Sequence, residues 1–197
     1  NPGVEGGWHD EGNCQVPDGW EWDYTNGEET VDGWETIGPE MRVLDRDSLP
    51  PNEHDLYIVD GDQTLKLFKD QGAIHVWLWQ EVAGLEVGES YRLTVPVFVD
   101  TFVWDQEKRP PSYNSAPQER AARVQLQASD EEDTQCSDWF DEQSVQNWYL
   151  RRHELTWTFE ATSEMMFVGL EVWNPWPISN NGYFFDALSL EHVPDSP

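Results

Sequence analysis

This sequence predicts an all-β protein, a two-sheet antiparallel β-sandwich. Three observations support that reading. Apolar residues recur with period two over many short segments, and helical periodicity is nearly absent. Gly, Pro, Asn and Asp separate those segments at intervals suited to successive strands and turns. The 197 residues suit one domain, spanning 1–192, long enough to bury a core without disulfide staples. Residues 193–197, Val193-Pro-Asp-Ser-Pro197, read as the start of a linker that would tether further domains.

Taken in order, strands are expected at 19–24, 39–44, 56–58, 64–69, 74–82, 90–103, 122–128, 154–161, 166–174 and 183–192. Asp60-Gly61-Asp62, Gly84 with Gly88, Pro110-Pro111 and Asn180-Asn181-Gly182 supply the turns between them. Residues 105–119 are polar and Pro-rich, and 129–147 are acidic; both read as surface loops, the second with one or two helical turns at 137–147.

Charge narrows the partners. Thirty-nine acidic residues against eleven basic ones leave a formal charge of -28. Such a field repels nucleic acid and anionic membranes but not a neutral ligand. Most of these carboxylates need be no more than a solvated surface. No apolar run is long enough to span a bilayer. The opening Asn1-Pro2-Gly3 lacks the features of a signal peptide, and the chain reads as a mature or excised piece. Cys14 and Cys136 fit either one bridge in an oxidising compartment or two free thiols; their polar surroundings favour a loop-to-loop disulfide.

Twelve tryptophans are more than a domain of this length is expected to bury, so a surface cluster is anticipated. The segment 72–80 shows where. Ile74, Val76 and Leu78 alternate with His75, Trp77 and Trp79, which puts a core face on one side and a stripe of flat rings on the other. Two further segments repeat the pattern. Val124 and Leu126 point inward while Arg123, Gln125 and Gln127 point outward; Val168, Leu170 and Val172 point inward while Glu171 and Trp173 point outward. If the three strands are neighbours, indoles flanked by Arg, Gln and Glu form a strip suited to a sugar ring, whose C–H face packs on an indole and whose hydroxyls pair with planar polar groups. Trp104 and Trp176, at strand ends or in loops, would wall the cleft.

Blander roles exist for the same residues. Trp77 and Trp79 could pack as a second small core under a loop, and Arg123 could merely pair with Glu171. Trp157, between Leu155 and Phe159, fits the core. Trp20, Trp22 and Tyr24 share one face of an early strand and suit packing as well as binding.

Several motifs in order resemble the jelly-roll carbohydrate-binding modules with a galactose-binding-like fold, the group holding glucan- and xylan-binding modules of secreted glycoside hydrolases. They are Asn1-Pro2-Gly3-Val4-Glu5 followed by Val16-Pro17-Asp18-Gly19-Trp20, Asp60-Gly61-Asp62 leading into Gln63-Thr64-Leu65, the stretch from Gln80 to Tyr91, and Tyr183-Phe184-Phe185-Asp186-Ala187-Leu188. Val4 stands where that group more often has an aromatic residue, and the long acidic insert is a further departure.

The resemblance implies non-catalytic binding of a polysaccharide or oligosaccharide, an extracellular or cell-surface location, and a monomer. It also implies a structural calcium ion held by Glu5, Asp60, Asp62 and Asp186. Hard cations take oxygen donors of this kind, and Asp186, in an apolar strand, needs a partner whether or not a metal binds. A jelly-roll polysaccharide lyase or glycosidase is the enzymatic alternative, with His75, Arg123, Gln125 and Glu171 as its candidates. An adhesion domain using the sandwich as a spacer is the third. No nucleophile elbow, phosphate-binding glycine loop or zinc-type Cys/His spacing is present.

Overall fold

Period-two alternation produces two stacked sheets. The computed structural model describes residues 3–27, 30–31, 34–69, 73–100, 123–130, 151–174 and 182–194. Strands run β1 Trp8–Glu11, β2 Cys14–Pro17, β3 Glu21–Tyr24, β4 Thr30–Val31, β5 Trp34–Glu35, β6 Glu40–Asp45, β7 Gln63–Phe68, β8 Ile74–Ala83, β9 Ser90–Asp100, β10 Arg123–Ser129, β11 Arg151–Glu160, β12 Met165–Asn174, β13 Gly182–Phe185 and β14 Ser189–Val193. Among the described residues a short α-helix, α1, spans His54–Tyr57.

The larger sheet has the order β1-β2-β6-β7-β13-β9-β11, with β14 also paired to β9. The smaller has the order β10-β12-β8-β3. Pairings are antiparallel except for β2 with β6, the tie that draws the N-terminal hairpin onto the large sheet. The core lies between the sheets. Ile74, Val76 and Leu78 of β8, Leu170 and Val172 of β12, and Val95 and Val97 of β9 meet there, each almost wholly buried. Burying one such side chain stabilises by about 1.5–3 kcal/mol.

A second, smaller cluster sits apart from this core, where Tyr57 of α1 stacks on Phe184 at 3.9 Å and meets Phe98 edge-on at 5.0 Å. The Arg152 guanidinium donates to the carbonyls of Asp55, Leu56 and Ile58, which a four-residue helix leaves unpaired. The strand expected at 56–58 is therefore wrong. Leu56, Tyr57 and Ile58 are consecutive rather than alternating apolar residues, and one helical turn brings the Tyr57 ring over Phe184, whereas a strand would send consecutive residues to opposite sides.

The strand expected over 183–192 splits into β13 and β14. The Asp186 carboxylate accepts from the Ala187 N–H, and Ala187 adopts φ 52°, which breaks the ladder between them. Strands β1, β2, β4 and β5 were not expected. The β1–β2 hairpin has Glu11 opposite Cys14, so its loop is Gly12-Asn13, with Gly12 at φ 61°. That dipeptide was the legible signal. Cys14 corrects another expectation: it lies in the core rather than a polar loop, as a free thiol donating to the Pro39 carbonyl at 3.6 Å. Burial pushes it up to about 11. Cys136, the loop at 105–119, and nearly all of the 129–147 segment with its helical turns lie outside the described residues.

Candidate functional site

The strip expected from alternation rests on three strands being neighbours, and they are. β10, β12 and β8 are consecutive in the small sheet. Register sets Gln125 opposite Glu171 and Arg123 opposite Trp173. It sets Glu171 opposite Trp77 and Trp173 opposite His75. The fourth strand, β3, adds Asp23 opposite Trp77 and Glu21 opposite Trp79; nothing in the sequence reading had placed these two acids there. Gly169 faces Trp79, and a Cβ at Gly169 would fall on the Leu78 carbonyl and lie 2.7 Å from the Trp79 Cα. β12 and β8 are thus in close backbone contact, which only glycine permits.

Among the expected residues, Trp104 and Trp176 lie outside the described residues, and for Arg123, Gln125, Gln127 and Trp173 the backbone register alone is described. His75, Trp77, Trp79 and Glu171 are described fully, and they are not an open platform. Trp77 is 5% exposed, Trp79 7% and Glu171 1%. The expectation of indoles standing over an open groove is corrected on this point. The physical reason is partly local. The His75 imidazole packs against Trp77 with centroids 4.0 Å apart and forms a short contact with the Glu171 carboxylate through Nε2. Pairing β3 onto β8 also makes β8 an interior strand of its sheet.

Two features distinguish this face from an ordinary core. Neither indole belongs to the hydrophobic core clusters. The Trp77 Nε1–H is buried without a hydrogen-bond partner, a donor that costs about 1–3 kcal/mol to leave unsatisfied. His75 and Glu171 pair with each other.

The expected metal ligands behave differently from one another. Glu5 accepts from the Asp62 and Gln63 amides at 2.9 and 2.8 Å through Oε1, and from Asp62 again through Oε2 at 3.0 Å. Asp186 accepts from the Val59 and Asp60 amides at 2.6 and 3.1 Å through Oδ2, and from Ala187 through Oδ1 at 2.6 Å. Two carboxylates from opposite ends of the chain thereby clamp the loop at 59–63. Gly61 is required in it, because a Cβ there would fall on the Glu5 carboxylate, and its φ is 62°.

Asp60 and Asp62 contribute their amides to this clamp. The Asp62 carboxylate is exposed and accepts from Arg46 Nε at 2.9 Å. Among the described residues no group of three or more His, Cys, Asp or Glu side chains is gathered as a metal would need. The carboxylates that accept from the amides of the 59–63 loop are Glu5 and Asp186. Burial pushes the Asp186 carboxyl up from its usual value, the three amides pull it back, and the charge of Glu5 adds to the rise. Each carboxylate has about four acceptor directions and uses three on amides, so this pair keeps donor capacity that fits a hard cation completed by carbonyl oxygens.

An open aromatic pair lies elsewhere. On β3, Trp22 and Tyr24 stack with centroids 5.1 Å apart and planes 10° off parallel. They line a groove of about 650 Å³ together with Glu11, Asn13, Asn26 and Lys69. Sequence reading left this pair undecided between packing and binding.

The chain matches no protein-family model and no curated protein. Its fold is similar to solved structures. One is TmCBM61 in complex with beta-1,4-galactotriose, with TM-score 0.52 and 13% identity over 89% of this chain and 90% of that one. The CBM22-1 xylan-binding domain from Paenibacillus barcinonensis Xyn10C aligns with TM-score 0.45 and 12% identity, over 86% of this chain and 92% of that one. The sugar-binding EclA C-terminal domain aligns with TM-score 0.43 and 19% identity, over 72% and 87%. At 13% identity the likeness to TmCBM61 shows the fold alone, a jelly-roll β-sandwich.

Proposed function

We propose that this protein binds a neutral polysaccharide or oligosaccharide without catalysis, on the face of the small sheet that carries His75, Trp77, Trp79 and Glu171. The observation that carries the reading is the buried, unpartnered Trp77 N–H beside an imidazole–carboxylate pair, on a face outside the core clusters. A sugar hydroxyl satisfies an indole N–H and a carboxylate at once, which an apolar cover does not. Arg123, Gln125, Gln127 and Trp173 flank the same strip by register. The formal charge of -28 favours a neutral ligand. The name TmCBM61 and the galactotriose bound to it support the ligand class by analogy of fold.

Calorimetric titration with a panel of neutral oligosaccharides tests this. Shallow contacts predict a Kd in the micromolar range or weaker. Trp77→Phe keeps the apolar packing and removes the N–H; it should weaken binding at least tenfold while melting within a few degrees of the parent. Unchanged binding by that variant overturns the reading.

The low exposure of Trp77 and Trp79 favours a second reading, in which the two indoles form a separate packed cluster and bind nothing. Acrylamide quenching that reaches neither ring, with or without saccharide, would select it.

The reading extends to a structural calcium ion held by Glu5 and Asp186, and to an extracellular, monomeric module joined to other domains. When bound, calcium would supply charge that relieves the repulsion between the two carboxylates. Chelation should then lower the melting temperature, and Glu5→Gln should abolish that response.

A further inference from the structure

We infer that the groove beside β3 is a second saccharide-binding site, taking one or two sugar units of a neutral chain at the rim of the sandwich. It shares the ligand class with the reading above and none of its residues.

The groove forms where the β1–β2 turn, β3, the segment at 37–39 leading into β6, and Lys69 after β7 converge. Its volume of about 650 Å³ lies within the range of small-ligand sites. Its platform is built in advance. The Trp22 Nε1–H donates to Glu11 Oε2 at 2.7 Å, which fixes the indole plane. Trp22 also packs on the core along one side. Tyr24 stacks on that fixed ring yet stays 36% exposed. A flat ring held rigid and partly exposed loses little entropy when it stacks on a ligand.

The polar rim has the chemistry a polyol needs. Asn13 and Asn26 each bring donors and an acceptor, and Glu11 brings acceptors only. Among the described residues the cation lining the groove is Lys69, already paired with Glu40 at 3.3 Å, and the chain as a whole is strongly acidic. An anionic ligand is therefore poorly matched, and an apolar one would strand the amides. The Trp22 hydrogen bond, with help from His9, holds the Glu11 carboxyl below its usual value, in keeping with an ionised acceptor at the rim.

Native mass spectrometry and calorimetry with the neutral oligosaccharide panel test the inference on the whole chain. The parent should bind two equivalents, and Tyr24→Leu should bind one. Trp77→Phe should retain the rim site. Tyr24→Leu keeps an apolar residue at a partly exposed position, and an unchanged melting temperature and far-ultraviolet dichroism establish that it folds. As a second probe, Asn26→Ala should weaken the same equivalent several-fold. If both rim variants bind as the parent does, the rim site is disproved while the sheet-face reading stands. If the Trp77 variant alone binds normally and the rim variants lose all binding, the sheet-face reading falls and the rim is the site. Binding of no saccharide by the parent overturns both.

Discussion

Strand β8 and strand β3 lie side by side, and each carries two aromatic residues two positions apart, yet they put them to opposite use. Trp77 and Trp79 on β8 are nearly sealed, whereas Trp22 and Tyr24 on β3 border an open groove. Composition does not separate the pairs; position in the sheet does. β8 has a strand on each side, β12 and β3. The two pairs also lie on opposite faces of the sheet: Trp22 and Tyr24 sit opposite Leu78 and Val76 on the core side, whereas Trp77 and Trp79 alternate with those residues. Among the described residues β3 is an edge with one neighbour, and the hairpin turn beyond it supplies a wall. The lesson concerns aromatic stripes generally: period-two alternation finds the stripe, and only the neighbouring strands decide whether it is reachable.

Substitution should expose that difference. The largest effect is expected at Trp77→Ala, about 3–5 kcal/mol of lost stability, because a sealed indole leaves a cavity. A denaturant titration showing less than 1 kcal/mol would mean the ring is not packed and would erase the contrast.

Next comes Glu171→Gln, at about 1–3 kcal/mol, the cost of disturbing a buried carboxylate–imidazole hydrogen bond. A chemical melt that does not move would show the pair to be solvated.

Tyr24→Leu should cost no more than about 0.5 kcal/mol, as expected of an exposed edge position; its consequence lies in ligand binding. A loss as large as that of Trp77→Ala would make the rim a core element.

The smallest effects concern pH. Asp186 has a folded value raised above the unfolded value of about 3.9. Its contribution to stability is therefore fully present below that value and is lost as pH rises through the folded one. Glu11, with its folded value lowered, has the opposite sign: its contribution is present above about 4.3 and is lost as pH falls through the folded value. Exposure keeps the Glu11 contribution small. Melting curves of Asp186→Asn and Glu11→Gln against pH should diverge from the parent in opposite directions. Calcium added at the clamp should lower the Asp186 value and reverse its slope. Parallel curves would remove the distinction between buried and open carboxylates.

Much of this architecture was readable in advance. Alternation placed β6 to β12 within a few residues, because each had one apolar face to bury. It also picked out His75, Glu171 and their neighbours as one strip, which register then assembled. The convergence of Glu5 and Asp186 on the 59–63 loop was legible only through resemblance, since 181 residues separate them in the chain (186 - 5).

Other features were not legible. The hairpin strand β1 has no buried face to alternate, and α1 consists of one turn whose only buried residue is Tyr57. Local sequence determined which residues form strands and which side of each strand is apolar, and its net charge of -28 disfavours an anionic ligand. Tertiary structure alone decided that Trp77 is largely buried, that Tyr24 is partly exposed, that Cys14 is core and that the Asp60 and Asp62 amides reach Asp186 and Glu5. The reason is physical: alternation is a property of one strand, whereas exposure and partnership depend on which strands pair beside it and how many sides of it they cover.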